Sequence, residues 1–179
     1  MRRNLQGETD PTFCSRPDFI QGVQLLADYH FSFDLCIRHD QLPAAIALVR
    51  HCPAVSFLLD HLGKPAIKEH ELDPWREHLT ALAALPNVAC KISRVVTEAD
   101  RVRWQLTDLA PYVAHALAVF GPDRVLFGGD WPVVTLATSY QRWVATLDEL
   151  TAHLSAQQRR HLWGENARQW YRLQKGEEA

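Results

Sequence analysis

A chain of 179 residues is long enough to bury one substantial core, whereas two ordinary domains of that total length would both be poorly buried. Lys plus Arg number 19 and Asp plus Glu 21, for a net charge of -2, so there is no electrostatic footprint for nucleic acid. With 47% hydrophobic and 22% charged residues the composition is that of a folded, water-soluble domain, which excludes a disordered chain.

In chain order, Met1-Arg2-Arg3 leads into the polar stretch from Asn4 to Asp10, so neither a secretion signal nor a twin-arginine signal is expected. Asp18 to Tyr29 patterns as a helix, and Phe31 to Arg38 (FSFDLCIR) as the first clear strand. Pro43 suits the first turn of a helix from Leu42 to His51. Val55 to Asp60 (VSFLLD) is the second strand, and Asp73-Pro74 opens a helix reaching Ala84. Val88 to Ser93 (VACKIS) is the third strand. After it, Asp108 with Pro111 starts a helix that Gly121-Pro122 stops beyond Phe120. Arg124 to Gly128 (RVLFG) is the fourth strand, followed by an amphipathic helix from Ser139 to Leu154. Ser155 with Gln158 forms a capping-box signal for a further short helix, which Gly164 interrupts before Asn166 to Leu173. The tail Gln174 to Ala179 is polar and expected to fray. No apolar run reaches the length of a membrane span.

Strands alternating with helices predict an α/β fold with a parallel sheet, in one domain over residues 1–179. No glycine-rich phosphate turn follows an early strand, which argues against a dinucleotide-binding fold. The carboxyl ends of the strands instead carry Arg38-His39-Asp40, Asp60-His61, Ser93-Arg94 and Asp130. A (β/α)₈ barrel builds its active site on such ends, but a complete one needs eight units and about 250 residues. The chain therefore reads as a partial (β/α)₈ barrel of about four βα units.

The chemistry is to be read from those ends. Phe57, Leu59 and His61 share one face of their strand; if that face points into the barrel, His61 stands at its mouth. A lone histidine there is by default a hydrogen-bonded core or rim residue. Asp130 follows the apolar run Val125-Leu126-Phe127 and two glycines that permit a close approach, although an aspartate after glycine is also an ordinary turn or cap residue. His39 ends the first strand, and two histidines with an aspartate on three strand ends resemble a partial metal site; a solvated polar cap is the competing reading. Lys91, inside the third strand, needs either the outer layer or an acid such as Asp34. The four cysteines, Cys14, Cys36, Cys52 and Cys90, form no Cys-x-x-Cys pair and fit a reducing cytoplasm, with Cys36 and Cys90 as small buried hydrophobes. The histidines at 51, 70, 78, 115, 153 and 161 fall on helices or polar loops.

Five motifs in order resemble one family: Phe33-Asp34-Leu35-Cys36-Ile37-Arg38-His39-Asp40-Gln41-Leu42-Pro43, Leu59-Asp60-His61-Leu62-Gly63-Lys64-Pro65, Cys90-Lys91-Ile92-Ser93, Phe127-Gly128-Gly129-Asp130-Trp131-Pro132-Val133 and Gly164-Glu165-Asn166-Ala167. The chain is similar to the amidohydrolase-related metal-dependent hydrolases, and within them to the sugar-lactone and pyrone-dicarboxylate lactonases. That family has a (β/α)₈ barrel whose first strand ends in His-x-His, and this sequence contains no His-x-His. The opening Arg2-Arg3-Asn4-Leu5-Gln6 resembles the end of the family's fourth strand, so the resemblance implies an N-terminally truncated barrel keeping units five to eight. Gly129 stands where a serine is usual and Arg94 where a glycine is usual.

The resemblance implies hydrolysis of a sugar lactone or similar cyclic ester by an activated water. It makes Asp130 the base and His61 the group that polarises the carbonyl or protonates the departing alkoxide. It assigns His39 and Asp130 to a divalent metal, zinc or manganese, although some relatives work without one, the aspartate alone activating the water. Arg38, Arg94 and Trp131 are the candidate substrate-binding residues, the arginines through paired hydrogen bonds to a carboxylate. The expected ligand is a small lactone, with neither nucleic acid nor membrane. Four open units leave two sheet edges, so a homo-oligomer or a complementing N-terminal half is the expected partner, and an inactive fragment is the alternative.

Overall fold

The computed structural model describes residues 1–173; the polar tail from Gln174 lies outside the described residues. Its sheet holds five parallel strands in chain order: β1 (Arg2–Asn4), β2 (Phe33–Cys36), β3 (Phe57–Leu59), β4 (Val88–Ile92) and β5 (Val125–Phe127). The four strands expected from the apolar pattern are present, each paired with the next, as part of a (β/α) barrel. The strands are shorter than their sequence patterns because each end turns away tightly. Thus Arg38 and His39 lie beyond β2, and His39 opens the helical turn His39–Gln41.

The two faces of the sheet differ in chemistry. Phe33, Leu35, Phe57, Leu59, Val88, Cys90, Ile92 and Val125 pack with the helices in the main core, the rings of Phe33 and Phe57 meeting edge-on at 6.1 Å. On the other face, Leu58, Ala89 and Leu126 form a separate small cluster covered by Ala167, Trp170 and Tyr171. The face of Phe57 and Leu59, left conditional by the alternation, therefore points to the helices and not into the barrel. The helical side takes the aromatic rings, and the inner face carries the charged Asp34 and Lys91 beside Leu58, Ala89 and Leu126.

The helical layer comprises α1 (Pro17–Gln24), α2 (Leu42–His51), α3 (Trp75–Ala83), α4 (Val95–Glu98), α5 (Leu106–Phe120), α6 (Tyr140–Leu150), α7 (Ala156–Arg160) and α8 (Asn166–Trp170). Two readings need correction. Helix α5 begins before Asp108, whose carboxylate accepts from the Gln105 N–H at 2.8 Å and so caps the helix from its first turn. Gly164 breaks nothing: the wide turn His161–Glu165 carries the chain straight from α7 into α8. The buried Asn166 amide then donates to the Pro122 and Val125 carbonyls at 2.7 and 2.8 Å, anchoring α8 to β5. Beyond α8 the chain crosses beneath the amino ends of the strands. Trp170 Nε1 donates to the Asp123 carbonyl, Tyr171 Oη to Asp34 Oδ1 at 2.8 Å, and Arg172 to His30 O and Ser56 Oγ. Among the described residues no helix is long and apolar enough to cross a membrane.

The glycine pair after β5 has a steric origin. A Cβ at Gly128 would lie 2.6 Å from Ser93 Cβ, and one at Gly129 2.5 Å from the Tyr140 ring. Gly128→Ala must therefore push the ends of β4 and β5 apart, and we expect a loss of about 1–3 kcal/mol, the usual range for overpacking. Urea denaturation of the variant checks this; an unchanged midpoint would mean that the strand ends part freely.

Candidate active site at the carboxyl end of the sheet

Three successive strands leave the sheet through left-handed backbone. After β3 and the buried Asp60, four consecutive residues have positive φ: His61 (58°), Leu62 (54°), Gly63 (69°) and Lys64 (52°). Arg94 after β4 (62°) and Asp130 after β5 (47°) do the same. Only Gly63 adopts this conformation without steric cost; each of the others stores about 1–3 kcal/mol. Surrounding hydrogen bonds hold the strained turns. Trp75 Nε1 donates to Leu62 O at 2.7 Å, Thr97 Oγ1 to Arg94 O at 2.8 Å, and Trp143 Nε1 to Gly128 O at 2.9 Å.

The turns bring His61, Ser93, Arg94 and Asp130 together. His61 Nδ1 lies 2.7 Å from Ser93 Oγ, and its Nε2 lies 3.8 Å from Asp130 Oδ1. Arg94 Nη1 is 3.8 Å from Asp130 Oδ2, while its Nε donates to Glu98 at 2.7 Å. Burial first, then the nearby charges of Lys64, Arg94, Lys91 and Arg2, push the His61 imidazole down to about 3, so it is neutral at ordinary pH. Its approach to Asp130 is therefore a neutral ring facing a carboxylate rather than an ion pair. Burial raises the Asp130 carboxyl, with Arg94 and Lys64 pulling against it. Asp130 Oδ2 is buried and accepts no hydrogen bond.

Beneath the site lies a buried ionic network. Lys91 Nζ, from β4, donates to Asp60 at 2.6 Å and to Asp34 at 3.2 Å, the second being the acid that its position suggested. Arg2, from β1, adds a contact to Asp60 at 3.5 Å. Asp60 is only 1% exposed. Burial works against the Lys91 charge, but Asp60, Tyr171 and Asp34 outweigh it and hold the ammonium above its ordinary value.

The remaining candidates stand on or near a cleft of about 1030 Å³, whose wall includes Arg38, His39, Lys64, Arg94 and Glu98. Arg38 is tied to Asp40 at 3.0 Å and to the Gln6 carbonyl. Trp131 is 71% exposed and does not line the cleft. Among the described residues one group sets three metal-type atoms within 4.8 Å of each other: Cys36, Asp60 and His61. Neither His39 nor Asp130 belongs to it. Its thiol, carboxylate and imidazole suit zinc by type, but Asp60 is already committed to Lys91 and Arg2. Asp130 Oδ2, by contrast, accepts no hydrogen bond and faces Arg94 Nη1 at 3.8 Å, so it can still accept from or coordinate a further group.

Sequence reasoning passed over Ser93 and Lys64 as working parts of the site. Ser93 offered the signal of a hydroxyl at a strand end. Lys64 offered only its place one residue after Gly63, since nothing in residue type announces a four-residue left-handed turn.

Polar side chains gathered on tight turns at the carboxyl ends of parallel strands are the site of a barrel enzyme. The chain belongs to the amidohydrolase family, which matches it over residues 1–173. It is 41% identical to an L-fucono-1,5-lactonase of Burkholderia multivorans, over 96% of this chain and 62% of that protein. A second L-fucono-1,5-lactonase, from Burkholderia ambifaria, is 31% identical over 97% and 61% of the two chains. A crystal structure of an amidohydrolase from Burkholderia multivorans with bound zinc superposes with a TM-score of 0.91 at 39% identity, covering 97% of this chain and 64% of that one. The chain thus spans less than two thirds of the length of the relatives it matches: 62% and 61% of the two lactonases.

Two outcomes follow from the electrostatics. The folded protein holds His61 at about 3, whereas the unfolded chain titrates it near 6.5, so between these values the unfolded state binds the extra proton. The contribution of His61 to stability is present above about pH 6.5 and is lost as pH falls toward 3. Urea midpoints measured across that range should fall more steeply for the native chain than for His61→Gln; parallel curves would show an ordinary imidazole. Separately, Lys91→Met leaves Asp60 buried with only the exposed Arg2, and should cost about 3–5 kcal/mol, as breaking a buried pair does. Adding Asp60→Asn should recover part of the loss, which a double-mutant cycle measures.

Proposed function

We propose that this chain carries the water-activating part of a lactone hydrolase site. The observation that carries the reading is the pairing of His61 with Asp130 at 3.8 Å, the aspartate retaining a buried oxygen without a hydrogen bond. A carboxyl raised by burial holds a proton better than an ordinary one, which suits Asp130 to take the proton of a water attacking the lactone carbonyl. His61 is neutral, so it acts by donation rather than as an imidazolium. With the Ser93 hydroxyl donating to Nδ1, the ring proton resides on Nε2 and is available to the carbonyl oxygen. When the ring C–O bond breaks, the departing alkoxide takes the proton back from Asp130.

Arg94 and Arg38 on the cleft are proposed to hold the substrate's polar groups. His39 and Asp130 would hold a divalent ion such as zinc or manganese, which when bound polarises the carbonyl and acidifies water. The steps above need only this chain's residues. A sugar lactone is the proposed substrate class, supported by the two relatives named as L-fucono-1,5-lactonases. The four cysteines are free and buried, which supports a reducing cytoplasm as the compartment.

A second reading is favoured by the open sheet. β1 is exposed along its whole length, and β1 and β5 stand at the two edges. A second copy, or a polypeptide supplying the strands this chain lacks relative to its relatives, would pair with them.

The test is hydrolysis of L-fucono-1,5-lactone by the purified chain, with and without zinc or manganese. The chain is also assayed mixed with the part of the Burkholderia multivorans relative that it does not match. We expect little turnover alone, turnover on mixing, and a loss of about 100-fold or more in Asp130→Asn. Turnover indifferent to that substitution, or none in any mixture, would remove the lactonase reading.

A further inference from the structure

One cation at the site has no task in the steps above. Lys64 is 5% exposed, yet its Nζ has no carboxylate within 4.0 Å among the described residues; its one hydrogen-bond partner is Cys36 Sγ at 4.0 Å, a weak acceptor. The neighbouring cations are all matched: Lys91 by Asp60 and Asp34, Arg94 by Glu98, Arg38 by Asp40. Lys68 and Arg101 on the same cleft are exposed and can be solvated by water. Burial works against the Lys64 ammonium, and Glu98 and Asp130 support it only from beyond ion-pair distance, so an anion brought up to it would find a cation that no carboxylate touches.

The placement indicates what that anion is. Lys64 closes the left-handed turn that His61 opens, its N–H donating to the His61 carbonyl at 2.8 Å, and it lines the cleft beside His39 and Arg94. Its own φ of 52° is a conformation in which a glycine or asparagine would be less strained, so a lysine there is held against a backbone preference.

We propose that Lys64 is the anion-binding residue of the cleft. Its ammonium receives the carbonyl oxygen as that oxygen becomes negative, and then the carboxylate of the ring-opened hydroxy acid. The identity of the ligand rests on the lactonase reading; the existence of a carboxylate subsite does not. In the reaction, the water oxygen bonds to the carbonyl carbon, one water proton passes to Asp130, and the carbonyl π pair moves onto the oxygen facing Lys64. Collapse breaks the ring C–O bond, the ring oxygen takes the proton from Asp130, and the new carboxyl releases its proton to solvent. Lactone plus water thus becomes hydroxycarboxylate plus a proton. The lactone is neutral and its product anionic, so an uncompensated cation favours everything after the attack over the substrate itself.

The experiment compares binding of L-fuconate with that of L-fucitol, the same carbon chain without the carboxylate, by titration calorimetry. We expect the native chain to prefer the carboxylate at least tenfold. Lys64→Met should abolish that preference, Lys64→Arg should keep part of it, and Asp130→Asn should leave it intact or increase it. A native chain that binds neither ligand or shows no preference, or a folded Lys64→Met that keeps the preference, overturns the proposal. Should Lys64→Met not fold, Lys64→Gln takes its place, and the native comparison stands by itself. A preference that depends on Lys64, with no lactone hydrolysis in any mixture, would leave the carboxylate subsite standing and remove the lactonase reading alone.

Discussion

The Lys91–Asp60 ion pair is the contact around which the inner face of the sheet is organised. Asp60 directly follows β3, is nearly inaccessible to water, and is met there by Lys91 from β4 and Arg2 from β1. Asp34 from β2 and the Tyr171 hydroxyl complete the set. Such a network contributes little net stability over an apolar replacement. What it does is align four neighbouring strands, since a slip of one residue would turn Lys91 toward the helices and leave the acids alone. It also sets the electrostatics of the next residue along, because Lys91 and Arg2 are among the charges that keep His61 neutral.

From that base the chain builds its site by leaving each strand sharply. A strand continued for two more residues would send alternate side chains to opposite faces; a left-handed turn returns the side chain to the sheet's end instead. Conformational strain at His61, Arg94 and Asp130 is offset by two buried tryptophan N–H groups and a threonine hydroxyl that bond to carbonyls within these turns. The glycine pair before Asp130 lets β5 close on Ser93 and the Tyr140 ring, and so sets the distance between Ser93, His61 and Asp130.

Much of this was legible in the residues. Alternating apolar runs located four strands, and polar residues after each pointed to one end of a barrel. The meeting of His61 with Asp130 follows from that topology; their roles in catalysis are part of the proposal. Which face turns inward stayed open, because alternation defines two faces without saying which packs on the helices, and Phe57 with Leu59 serves the helices. His39 was read as a strand end, yet Gln41 caps Arg38 and starts a helical turn there, its side-chain oxygen accepting from the Arg38 N–H at 2.9 Å. Lys64 gave no sign, since its importance lies in a backbone conformation and in the lack of a partner, and neither is written in residue type.

The crossing of the segment from Trp170 to Arg172 beneath the strands also bears on synthesis. Tyr171 bonds to a residue 137 positions earlier, and Arg172 to one 142 positions earlier. A chain emerges from the ribosome amino end first. Asp34, Leu58, Ala89 and Leu126 are therefore made long before Trp170 and Tyr171 arrive to cover them. Until then the inner face presents apolar surface and unscreened charge together. The inner face is thus most vulnerable in the interval before Trp170 and Tyr171 are made, and the arrival of that segment is what closes it.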